Sequence, residues 1–310
     1  MSETIGEYLI LEPEFKNLIG LNARVVKLWT GSAWAEGPVF FRDGNFLLFS
    51  DIPNDRMLRF VPHLSGHGGN VSVFRQPANN TNGNTRDREG RLVSCEHGAR
   101  RVTRTEYDGR ITVLVDRFEG KRLNSPNDVV VKSDGTVWFT DPPYGILTDH
   151  EGWKGELEYG GCNVFRFDPK DGSLTVVCDD FAKPNGLAFS PDEKILYIAD
   201  TGASHDPSVP RHIRAFDVTD KNKLKKSREF CTCDAGLFDG FRVDTDGRIW
   251  SSAADGVHCF APDGRKLGKI LVPEVVSNVA FGGFKRNRLY ICGTTSLYAV
   301  LTHVNGALLP

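Results

Sequence analysis

Apolar and polar positions alternate along most of this chain in short runs broken by Asp-Gly, Asn-Gly and Pro-containing turns, which predicts β-strands rather than helices. The clearest stretch is LNSPNDVVVKSDGTVWFTDPPYG, from Leu123 to Gly145. There the β-branched run Val129-Val130-Val131 leads through Ser133-Asp134-Gly135 into Thr136-Val137-Trp138-Phe139-Thr140, a hairpin pattern. Polar Asn127 stands at the mouth of the first strand, seven residues before the turn residue Asp134.

The same layout recurs. Glu36 precedes Asp43-Gly44, Asn185 precedes Asp192, and Asp239 precedes Asp246-Gly247, each by seven residues and each ahead of a strand-like run. Weaker copies begin at Asn82 and Asn278. The six starts at 36, 82, 127, 185, 239 and 278 are separated by 46, 45, 58, 54 and 39 residues. Periods of this size, with room for four strands each, predict an all-β, six-bladed β-propeller with four-stranded blades. The last repeat is one strand short. A strand over Ala23 to Trp29 is expected to supply the missing edge and close the ring, removing an open sheet edge.

The chain of 310 residues is therefore expected to form one β-propeller domain, with residues 1–20 as a surface arm. Ile146 to Gly161 and Ala203 to His212 read as long loops, the first as a partial lid, and the Gly- and His-rich run His63 to Asn70 as a turn. A net charge of −2 offers no basic field for nucleic acid. No run of roughly 18 apolar residues predicts a membrane span, and the acidic N-terminus does not read as a signal peptide. Seven cysteines without CxxC pairs fit reduced thiols in the cytoplasm.

In a propeller the innermost strands surround a central channel, so residues at one phase of every repeat should meet near one end of it. Glu36, Asn127, Asn185 and Asp239 would bring two carboxylates and two amide oxygens together, a hard donor set suited to calcium, magnesium or manganese. A single Asn or Asp at a strand entry commonly caps local backbone amides instead. Four at a shared phase favour the common site.

The runs AEGPVF at Ala35, SPNDVVVKSDGTVWFTDPPYG at Ser125, PNGLAFSPDEKILYIADTG at Pro184 and DGFRVDTDGRIW at Asp239 resemble the SMP-30/gluconolactonase/luciferin-regenerating family, in order and across Trp34 to Val300. The resemblance implies a six-bladed propeller with one catalytic divalent metal, calcium foremost and zinc, magnesium or manganese as alternatives, and hydrolysis of a sugar lactone. It implies Glu36, Asn185 and Asp239 as metal ligands, Asn127 as a further ligand or substrate contact, and Asp239 as the proton-transfer residue. Ser125 stands where the animal branch of the family has an arginine. Candidate substrate contacts beside predicted strand ends are Tyr144, His97, Arg100 and Trp34.

Two other readings share these residues. One is a phosphotriesterase- or fluorophosphatase-like, or other ester, hydrolase on the same metal site. The other is a non-enzymatic calcium-binding propeller, against which converging carboxylates argue. A metal-free strictosidine synthase-like propeller is disfavoured by Glu36 and both asparagines. Nucleophile elbow, H-E-x-x-H, Walker A and dinucleotide-binding motifs are all missing from the sequence. The sequence leaves the oligomeric state open.

Overall fold

The computed structural model describes residues 3–20, 22–63 and 68–307. Residues 64–67, part of the expected turn, lie outside the described residues, as do residues 1, 2, 21 and 308–310. Six antiparallel sheets of four-stranded blades form a six-bladed propeller with 51% strand and 4% helix. The innermost strands are Ala35–Phe41, Thr81–Arg86, Val129–Val131, Pro184–Phe189, Phe241–Val243 and Val276–Gly282. Each begins within two residues of one of the phase-matched polar residues.

Alternation makes these strands. In the third blade Val129 pairs with Phe139 and Val131 with Val137, as the Asp-Gly turn predicts. The inner strands are buried along nearly their whole length: Val129, Val130 and Val131 of blade three are apolar throughout, whereas Thr81–Arg86 of blade two is polar yet almost entirely buried. Clusters between adjacent blades, such as Phe139 and Phe165 with Val93 and Val102, form the core.

Close approach at the axis explains the glycine after the polar residue. A side chain at Gly83 would collide with the Asn127 carbonyl, and one at Gly186 with the Asp239 carbonyl. Gly83 N–H instead donates to Asn127 O at 2.8 Å. Glycine lets neighbouring inner strands touch and pulls the polar side chains together.

The ring closes as expected, with boundaries moved toward the C-terminus: Val26–Thr30 pairs with Ser296–Leu301 as the outer strand of the sixth blade. Residues 3–20 pack onto the fifth blade rather than standing off as a surface arm. Tyr8–Ile10 pairs with Lys266–Leu271 on the fifth blade, and Glu3–Ile5 pairs with it in turn. Phe15 is fully buried, 6.1 Å from the Trp250 ring, and the Tyr8 hydroxyl donates to Ala23 O at 2.6 Å. Burial of Tyr8, Ile10, Phe15, Leu18 and Ile19 offsets the entropy of ordering this segment. No helix among the described residues is long and apolar enough to cross a membrane.

Candidate active site

At the N-terminal ends of the inner strands the channel widens into a cavity of about 320 Å³. Glu36, Asn127, Asn185 and Asp239, from blades one, three, four and five, all line it, with Trp34 and Tyr144 at its wall. Asn82, from blade two, and Glu151, from the insertion after the third blade's second strand, line it too. Glu36, Asn82, Asn127 and Asn185 are buried, and Asp239 is half-buried.

The carboxylates are held individually. Glu36 Oε2 accepts from its neighbour Gly37 N–H in a very short contact and from Asn278 Nδ2 at 2.9 Å. Asp239 is set by its own N–H, which donates to Ser252 Oγ at 2.9 Å. Asn185 Nδ2 donates to Thr201 Oγ1 at 3.2 Å, which turns its carbonyl oxygen away from that partner. The Asn127 carboxamide forms no hydrogen bond among the described residues.

Burial, followed by the Asp128 carboxylate, pushes Glu36 up to about 8, against the pull of Gly37 N–H, Asn278 and Arg242. Burial, then Glu36 and Glu151, drives Asp239 well above the usual carboxylate range. Two carboxyl groups driven toward their neutral forms beside carboxamide oxygens are the arrangement a cation resolves. Among the described residues no three His, Cys, Asp or Glu side chains form a ligand group, so thiolate or imidazole sets of the zinc type find no counterpart. The mixed carboxylate and carboxamide set fits a hard divalent cation.

His97 and Arg100 are not among the residues that line this cavity. Both are buried and tie the insertion down. His97 Nδ1 lies 3.2 Å from Glu151 O and its Nε2 3.1 Å from Asn82 Nδ2. Since a carbonyl only accepts and an amide nitrogen only donates, Nδ1 carries the proton. Arg100 donates to Leu123 O at 2.6 Å and Glu156 O at 3.2 Å, and lies 3.4 Å from Glu158. Strand-end position alone does not distinguish a side chain facing the channel from one facing a loop. The Tyr144 hydroxyl lies at the wall but is committed to Thr201 O, Thr201 Oγ1 and Ser204 Oγ at 2.7–3.0 Å, which pins the loop after the fourth blade's second strand. Ser125 Oγ donates to Pro142 O at 2.6 Å and accepts from Gly145 N–H at 2.9 Å, fixing the turn that carries Tyr144.

Two residues that line the cavity, Asn82 and Glu151, and one that braces Glu36, Asn278, are not among the site candidates read from the sequence. Asn82 and Asn278 shared the seven-residue phase, a signal that was present. Glu151 lies in an insertion with no repeat partner, so its phase carried no information.

The sequence profile of the SMP-30/Gluconolactonase/LRE-like region matches residues 34–295. The chain belongs to that family. It is 34% identical to a gluconolactonase of Zymomonas mobilis subsp. mobilis, over 98% of this chain and 88% of the relative. It is 32% identical to a pentonolactonase of Haloferax volcanii, over 84% and 82% of the two chains. A solved gluconolactonase from Xanthomonas campestris superposes with a TM-score of 0.87 at 38% identity, covering 94% of this chain and 93% of that one. The expectation of an enzyme of the lactonase kind agrees with these relatives.

Proposed function

We propose that this protein hydrolyses a sugar lactone to the corresponding aldonate in the cavity of Glu36, Asn127, Asn185 and Asp239, with one divalent cation, calcium foremost. The observation that carries this reading is the meeting of those four side chains, from four blades, in one cavity. Glu36, Asn185 and Asp239 would hold the ion, with Asn127 as a further ligand or as a substrate contact. When bound, the cation supplies Lewis-acid polarisation of the ester carbonyl and a lowered pKa for nearby water.

The chain's own residues do the rest. Asp239 takes a proton from the water that adds to the carbonyl carbon. It returns that proton to the ring oxygen as the acyl–oxygen bond breaks. The carboxamides of Asn82 and Asn127 and the Glu151 carboxylate offer donors and acceptors to a polyhydroxylated ring, and Trp34 offers an apolar wall. Seven unpaired cysteines support a cytoplasmic setting.

A pH-indicator assay of several aldonolactones tests the reading, since the product acid releases one proton per turnover. Chelation should remove activity, and re-addition of calcium, zinc, magnesium or manganese should restore it to different extents. Full activity after exhaustive chelation overturns the metal assignment. Faster turnover of a fluorophosphate, run in parallel, would move the reading to the phosphotriesterase class. No turnover of either would favour a calcium-binding role alone.

A further inference from the structure

The inner strands have a second end. Toward their C-termini, and sharing no lining residue with the candidate active site, lies another cavity of about 240 Å³. Its inner-strand walls come from Val39 and Phe40 of blade one, Thr85 and Arg86 of blade two, Arg242 of blade five and Phe281 of blade six. The strand of blade one runs three or four residues from Glu36 to this wall, about 10–13 Å at a strand's rise per residue. The two cavities therefore occupy opposite mouths of one channel.

This mouth is cationic. Arg42, Arg86, Arg242 and Arg286 all line it, against the single lining carboxylate of Asp43 among the described residues. Deeper in, Arg242 lies 3.7 Å from Asp128 Oδ2 and donates to Phe241 O at 2.7 Å. Asp43 reaches Arg86 at 3.3 Å, but its side chain is 90% exposed, so the pair is a weak, screened one. Arg42 stacks 5.0 Å from the Phe284 ring and has no carboxylate partner among the described residues. Arg86 Nε and Arg286 Nη1 are buried with no acceptor in reach among the described residues. Burial, followed by the neighbouring Arg42, holds Arg286 below its usual value.

Four guanidinium forks around a concave, partly apolar pocket match the planar, multidentate oxygens of a phosphate or carboxylate group. We propose that this mouth binds a small metabolite bearing a phosphate-ester or carboxylate group, framed by Arg42, Arg86, Arg242 and Arg286. The cavity volume admits the anionic group and a few attached carbons. The site lies apart from the lactone cavity and does not depend on that reading.

Titration calorimetry at low salt with inorganic phosphate, a hexose 6-phosphate and succinate tests it. At least one probe should bind saturably and more weakly as salt rises. Binding confined to the two phosphates assigns a phosphate ester, and binding confined to succinate a carboxylate. The R42Q/R286Q double variant should weaken binding at least tenfold. Asp43→Asn, which removes the rim's negative charge, should tighten it, and lactone turnover should stay unchanged in both. If the double variant fails to fold, Arg42→Gln alone, at an exposed position, serves. Absence of saturable binding by every probe, or equal affinity in the arginine variant, overturns the proposal.

Discussion

Asn278 Nδ2 donates a 2.9 Å hydrogen bond to Glu36 Oε2 across 242 residues of sequence, joining the last blade to the first beneath the cavity floor. The Asn278 Oδ1 in turn accepts from Val279 N–H at 2.8 Å, which fixes the amide's orientation. Asn278 is thus a positioning residue for the proposed ligand carboxylate. Asn278→Leu should reduce cation affinity about tenfold, within the range typical of partners that orient a metal ligand. Equilibrium titration with calcium checks it, with circular dichroism to confirm folding.

His97 ties Glu151 to Asn82 and so holds the insertion against the cavity wall. Burial lowers its pKa to about 4 from an ordinary 6.5, so it is neutral when folded. Its contribution to stability is present above about 6.5 and is lost as pH falls toward 4. His97→Phe should raise the KM for lactone and speed proteolysis within residues 146–161, with a smaller change in kcat. Limited proteolysis and steady-state kinetics measure the two effects.

Much of this architecture was legible in the sequence, because a propeller repeats its solution. The seven-residue interval from Asn127 to Asp134 marks an inner strand and its turn, and five other intervals repeat it. Glycine after Glu36, Asn185 and Asp239 marks contact at the axis. What could not be read lay outside the repeat. Tyr8-Leu9-Ile10 is too short to stand out as a strand, and it gains its partner only when the fifth blade presents Gly268 and Ile270. Glu151 and the loop-binding roles of His97 and Arg100 depend on how the insertion folds back. Asn82 and Asn278 shared the signal but divided its meaning, one lining the cavity and the other bracing Glu36.

The N-terminal segment should be structural. Phe15 is completely buried against Trp250 and Gly268, so Phe15→Ala should cost about 3 kcal/mol. Chemical denaturation measures it. A change below about 0.5 kcal/mol, usual for exposed positions, would mean the segment is not packed as described.

Glu274 braces the closing blade. Burial raises its carboxyl, but donors from Ser296, Tyr298 and Thr295 outweigh that and hold it at about 2, against an ordinary 4.5. Ser296 Oγ and Tyr298 O–H each donate at 2.6 Å. A depressed carboxylate stabilises the fold above its unfolded value and loses that contribution as pH falls from about 4.5 toward 2. Glu274→Gln should lower Tm at pH 7 and flatten the loss of stability across that acid window. Thermal melts from pH 2 to 7 follow both.

In the proposed site, side chains from four blades would serve one cation and one reaction. The most direct measurement is calorimetric titration of calcium into the chelated protein and into Asp239→Ala, with lactone turnover followed on the same samples. One ion per chain in the wild type, with both binding and turnover lost in the variant, is the result expected. Unchanged ion binding and turnover in Asp239→Ala would contradict it.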